Sequence, residues 1–218
     1  MRAIAWFPVL VVAAVHLTAL VLDVEPVAAW SQVLLMPALA VVLLAEPRDR
    51  RNRAWPWALG ALAASWVGDS LPKVVPEGAQ FLAMVGGFAV AQALWIVAFT
   101  RVRGSRPPVP YTLLLAAVAV ALLAATVPHA GVLAPAVVVY GLLLAATAFV
   151  AARHGWVGAL GGAFFVLSDG LIALGAFRPE LVDWAHRDLA VMSTYIVAQA
   201  LLVAAVLGLR AGGAETGR

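Results

Sequence analysis

The chain has 218 residues, 64% of them hydrophobic and only 11% charged, and its mean hydropathy is +0.99; such a composition excludes a soluble globular domain and asks for lipid as solvent. The formal charge of +3 and a pI near 10.0 would suggest nucleic acid in a soluble protein. Here the basic residues sit in short loops between apolar runs, so they read as topology signals and no nucleic-acid partner is expected. There is no cysteine, which excludes disulfides, thiolate catalysis and thiolate metal sites.

Apolar runs long enough to cross a hydrocarbon core of roughly 30 Å lie at 4–22, 30–45, 55–71, 79–99, 111–127, 130–152, 156–176 and 188–209. The predicted fold is therefore an all-α integral membrane protein, a single domain of eight transmembrane helices over residues 1–218. Turn and charge signals separate the spans: Asp23-Val24-Glu25-Pro26, the basic stretch 46–53, the segments 72–78 and 101–110, Pro128-His129, Arg153-His154-Gly155 and the segment 178–187. Counting Lys and Arg on alternate sides gives eleven on one side (Arg2, Arg48, Arg50, Arg51, Arg53, Arg101, Arg103, Arg106, Arg153, Arg210, Arg218) and three on the other (Lys73, Arg178, Arg187). The first side is expected to be cytoplasmic, with both termini there. An odd number of spans would scramble that split. A cleaved signal peptide over 1–29 is the competing reading, with Arg2 and Val27-Ala28-Ala29 in its favour, but its apolar run exceeds a typical signal core.

A weak internal repeat of four plus four helices is also visible. Gly68-Asp69-Ser70-Leu71 recurs as Ser168-Asp169-Gly170-Leu171, and Val90-Ala91-Gln92-Ala93-Leu94 as Val197-Ala198-Gln199-Ala200-Leu201. Because four is even, the halves would be parallel repeats.

Ionisable residues inside a span are costly and functional by default. Asp69 and Asp169 stand out: counted from Ala54 and Trp156, both lie roughly 20 Å from the cytoplasmic face at about 1.5 Å per residue. His16 and Tyr195 fall near the same layer, while Ser65, Ser168, Tyr140 and Gln199 lie on neighbouring turns or deeper. Tyr140, Ser65, Ser168 and Gln92 also suit a purely structural role, pairing with one another and with backbone carbonyls to hold the bundle together. The aspartates suit it less. Two carboxylates at one depth cannot both ionise cheaply in low dielectric, so one is expected to hold a proton. A protonated acid beside a carboxylate is the equipment of general acid catalysis through a cationic transition state. Residues 68–71 also spell Gly-Asp-Ser-Leu, and Asp183-Trp184-Ala185-His186 gives Asp-x-x-His, the motifs of a class of serine esterases. Those enzymes are similar to a flavodoxin-like α/β fold, and nothing in this chain alternates like a strand.

At these residues the chain resembles the YhhN-type lysoplasmalogenase family. The likeness rests on Gly68-Asp69, the aromatic and glycine-rich opening of span four, Tyr140, the run Gly161-Gly162-Ala163-Phe164-Phe165-Val166-Leu167-Ser168-Asp169 followed by Phe177, and Tyr195 with Ala198-Gln199. Two positions depart: Met36-Pro37 stands where many members have Lys-Pro, and Gln92 and Trp95 stand where a His precedes a Tyr. The resemblance implies hydrolysis of the vinyl ether bond of lysoplasmalogen without metal or other cofactor. Slow protonation of the β-carbon creates an oxocarbenium ion; water adds, and the hemiacetal collapses to a fatty aldehyde and the glycerophospholipid's head, a glycerophosphodiester. One aspartic acid would give the proton and the other carboxylate would stabilise the cation. Tyr195, His16, Gln199, Tyr140 and Ser168 would position water or substrate. Expected partners are a lysophospholipid or other single-chain amphiphile and the surrounding lipids, in the inner membrane of a prokaryote. Two other classes fit the same residues: a proton-coupled transporter or lipid-binding receptor using both aspartates as a relay, and a structural assembly partner.

Overall fold

A computed structural model describes residues 2–209; Arg210 and Arg218, counted above for the cytoplasmic side, lie outside the described residues, as does the C-terminus. After one helical turn, Arg2–Ala5, eight longer helices follow: α1 Phe7–Val21, α2 Glu25–Leu44, α3 Trp55–Ser70, α4 Glu77–Thr100, α5 Val109–Thr126, α6 Ala134–Ala152, α7 Trp156–Phe177 and α8 Arg187–Gly208. No strand occurs among the described residues. Six helices are long and apolar enough to cross a membrane when the short 3-10 turns at the α5–α6 connection are included; α1 is apolar but only 15 residues long, and α3 has 16.

Proline fixes where several helices begin. Pro8, Pro26, Pro56, Pro110 and Pro135 each occupy the first turn of α1, α2, α3, α5 and α6, where the missing N–H would have had no partner. This moves the start of α2 to Glu25, ahead of the residue 30 expected from hydropathy: Glu25-Pro26, read above as turn, is the opening of the helix, with the acid at its positive end. Left-handed backbone at Gly155 (φ 97°) and His186 (φ 64°) turns the chain into α7 and α8.

The packing order explains which residues can meet. The helices form a ring in the order α1, α2, α3, α4, α6, α7, α8, closed by α8 on α1; α5 stands outside and packs only on α6 and α7 among the helices in substantial contact. α8 also touches α2 and α3, so it lies between the helices carrying the two aspartates. Lipid gives helices no hydrophobic reason to associate, so small residues that let backbones touch decide the closest contacts. A Cβ on Gly87 of α4 would lie 2.6 Å from Gly68 Cα of α3, and one on Gly162 of α7 would lie 2.5 Å from Ala148 Cα of α6. Neither position tolerates a side chain without moving a helix.

One end of the bundle is tied down by polar side chains. Asn52 caps α3 by accepting from the amides of Ala54 and Trp55, and its Nδ2 donates to Val206 O at 2.7 Å on α8. His154 Nε2 meets Phe99 O at 2.8 Å, while its ring stacks on Phe99. Burial pushes the His154 imidazole below its ordinary pKa, which favours the neutral ring.

Candidate active site

Asp69 is the penultimate residue of α3, beside the Gly68–Gly87 crossing. Its Oδ2 accepts the Tyr195 hydroxyl from α8 at 2.8 Å, and its Oδ1 accepts Gln32 Nε2 from α2 at 3.1 Å. The Gln32 Oε1 in turn accepts Lys73 Nζ at 2.8 Å from the turn beyond α3. On the other side, Gln199 Nε2 donates to Ser65 Oγ at 2.9 Å and reaches the Tyr195 oxygen at 3.4 Å. A continuous polar line therefore runs Lys73, Gln32, Asp69, Tyr195, Gln199, Ser65 across three helices. Burial pushes the Lys73 ammonium below the usual lysine range, with the Asp69 charge pulling it back up.

Asp169 stands in different company. It is buried on α7 and bonded through Oδ2 to the Tyr140 hydroxyl of α6; among the described residues no side chain bonds its other oxygen. Together with Tyr140 it lines an apolar pocket of about 70 Å³ between α4, α5, α6 and α7, walled by residues such as Phe81, Met84, Phe88, Leu122, Leu144 and Val166. The remaining polar residue in the lining, Thr126, donates its hydroxyl to Leu122 O within its own helix. Leu122, Val166 and Gly170 also line a second apolar groove, of about 270 Å³, on the α5–α7 face. Asp69 does not line the pocket; Phe88, which does, packs edge-on against Tyr195 with centroids 5.6 Å apart. Phe88 thus touches both the pocket of Asp169 and the Tyr195 ring of the Asp69 network.

The other singled-out residues divide between these networks and plain structure. Tyr195 and Gln199 belong with Asp69, and Tyr140 with Asp169. Ser168 donates to Val191 O at 3.1 Å and fixes α7 on α8. His16 Nδ1 meets Ser31 Oγ at 3.0 Å and Ala28 O at 3.1 Å on α2, and it makes no hydrogen bond to either aspartate among the described residues. Gln92 and Trp95 are fully buried, with the Gln92 side chain beside the Tyr140 hydroxyl. The esterase constellation is not assembled: Ser70 Oγ is buried without a partner, whereas Asp183 and His186 line a cleft with Asp23, Arg187 and Asp188.

Two members of the Asp69 network, Gln32 and Lys73, were missed by sequence reasoning. The i, i+4 spacing of Asp69 and Lys73, one turn apart across a helix end, was the available signal for the lysine. Gln32 offered only its polarity, next to Ser31 in an otherwise apolar run.

The sequence profile of the YhhN family matches residues 27–206. Human lysoplasmalogenase TMEM86B (Homo sapiens) is 34% identical over 153 residues, which are 68% of this chain and 62% of the human protein. The chain therefore aligns with less than two thirds of that relative's length. No solved structure matches it.

Proposed function

Because the chain belongs to the YhhN family, we propose that it is a membrane-embedded hydrolase cleaving the vinyl ether bond of lysoplasmalogen, or of a related single-chain ether lipid, by aspartate acid catalysis. The observation that carries this reading is Asp169, one oxygen held by Tyr140 and the other without a bond from the described residues, in the wall of a mostly apolar pocket. Carbon is a poor proton acceptor, so the acid must be held against the alkenyl group in a dry site, where proton transfer to the β-carbon competes with no better base. Asp169 gives the proton. The oxocarbenium ion that results is then stabilised by Asp69 across Phe88, since a fixed carboxylate acts over several ångströms in low dielectric. Gln199, whose Oε1 has no protein partner, and Tyr195 are suited to orienting the water.

All eight helices cross the membrane as one domain in this reading, with the arginine-rich loops and both termini in the cytoplasm of a prokaryotic cell and the aspartates in the outer half. A four-plus-four parallel ancestry makes the two aspartates counterparts. It is supported by their positions 14 and 13 residues beyond the tryptophans, Trp55 and Trp156, that open α3 and α7. The substrate's alkyl chain lies in the pocket, and its far end reaches the α5–α7 groove once the Leu122 side chain, packed on Gly170 in the wall the two share, swings aside, while its head reaches water.

Purified protein in detergent should release a fatty aldehyde from lysoplasmalogen with no metal or nucleotide added, and should leave the corresponding ester lysolipid intact. Cleavage of the ester alone would point to esterase chemistry. Absence of aldehyde together with proton movement in reconstituted vesicles would replace the hydrolase with a proton-coupled carrier.

A further inference from the structure

The end of the bundle that carries Lys73, Arg178 and Arg187 treats these three cations differently. Lys73 is bonded to Gln32 and thereby tied to the Asp69 network. Arg187 donates to Asp188 at 3.1 Å and lines a cleft with Asp23, Asp183 and Asp188, where its charge is already met. Arg178 follows Phe177, a lining residue of the apolar pocket, and its Nη1 donates to His129 Nε2 at 3.3 Å. His129 stands three residues after Thr126, which lines the same pocket from α5. The Arg178–His129 pair thus bridges the ends of α5 and α7 at the pocket's rim, where Phe81 and Phe177 meet edge-on at 5.4 Å. Arg178 Nε is bonded to Glu180 and Nη1 to His129, and no described residue takes Nη2.

From this placement, and resting on the reading of the pocket as the seat of a single-chain amphiphile, we propose that Arg178 with His129 binds the anionic phosphate diester of the substrate's head group at the pocket mouth. The length fits. Asp169 and Arg178 are nine residues apart, about 13 Å along a helix axis. The seven bonds from the alkenyl β-carbon to phosphorus extend to about 9 Å at ordinary single-bond lengths, and the long arginine side chain covers the rest. The chemistry fits as well: a guanidinium presents a planar fork matched to two phosphate oxygens. Glu180, whose side chain is 59% exposed, yields its place on Arg178 to the incoming phosphate.

The test uses a ligand that cannot be cleaved, so that its outcome does not depend on catalysis. A saturated 1-alkyl lysophosphocholine and the 1-alkylglycerol of the same chain length are titrated onto the full-length protein in detergent. Wild type should prefer the phosphocholine lipid, and Arg178→Gln should lose about tenfold of affinity for it, the size of one charge-assisted hydrogen bond, with alkylglycerol binding unchanged. Glu180→Gln, which removes the competing carboxylate, should bind the phospholipid more tightly, and Arg187→Gln should bind it as wild type does. Equal losses for both lipids in Arg178→Gln, no loss for either, or an equal loss in Arg187→Gln would overturn the proposal. Inorganic phosphate alone should not saturate; saturation abolished by Arg178→Gln would assign the pair to free phosphate and overturn the head-group reading. A protein that binds in this pattern but releases no aldehyde would keep the head-group site and lose the hydrolase.

Discussion

Asp69 and Asp169 stand in nearly the same local sequence context, each on a helix opened by tryptophan and each beside a glycine, yet the fold gives them opposite surroundings. Both oxygens of Asp69 accept hydrogen bonds, from Tyr195 and Gln32, and Lys73 stands one side chain further along. Asp169 has Tyr140 on one oxygen and an apolar pocket before the other. The lesson is that neighbouring helices, not depth in the membrane, decide what a carboxyl group can do: α2 and α8 crowd Asp69, while the outlying position of α5 leaves space in front of Asp169.

The largest effect should come from breaking the pocket-facing member. Asp169→Asn keeps the size but has no proton to give, so aldehyde release should fall by about 10²-fold or more with lysolipid binding preserved; retention of most of the wild-type rate would remove Asp169 as the acid. Asp69→Asn should also cost about 10²-fold, and the double variant should be little slower than either single one, because groups that act as a unit do not add. Additive losses would mean that the two aspartates work independently. Tyr140→Phe and Tyr195→Phe each remove one hydrogen bond to a carboxyl, and about tenfold in rate is expected from each; a far larger loss at Tyr195 would make Asp69 the more demanding partner. Lys73→Met should slow wild type only severalfold at neutral pH. Because burial lowers the Lys73 pKa, its charge is present below that value and lost as pH rises through it, so the two rate profiles should converge at high pH. Ser70→Ala and His186→Ala should leave turnover unchanged, and a loss at either would revive the esterase alternative.

Most of the helices were legible because an 18-residue apolar run has few other ways to exist; the α2 start was misplaced because Glu25-Pro26 signals a turn and a helix opening equally well. Asp69, Asp169, Tyr140 and Tyr195 were legible as polar residues costly to bury. Their pairing was not, because it depends on the ring order, in which α8 reaches α3 and α6 reaches α7. Depth grouped His16 with the aspartates, and it could not foresee that its Nδ1 is bonded to Ser31 on α2. Lys73, read as a topology mark, lies one turn past Asp69 and points back, a detail that side-counting discards.

The pocket and the α5–α7 groove share Leu122, Val166 and Gly170 as a common wall, and on the proposed reading that neighbourhood carries a thermodynamic consequence. On the proposed reaction the two products are immiscible in each other's preferred medium: the long aldehyde is a hydrocarbon solute, and the glycerophospho fragment belongs to water. On that reading the aldehyde passes the Leu122–Gly170 wall into the apolar groove and the fragment leaves to water at the rim, so each has its own exit. Once parted across a phase boundary they rarely meet again at the same acid, and dilution into two solvents makes the hydrolysis one-way without any coupled source of energy.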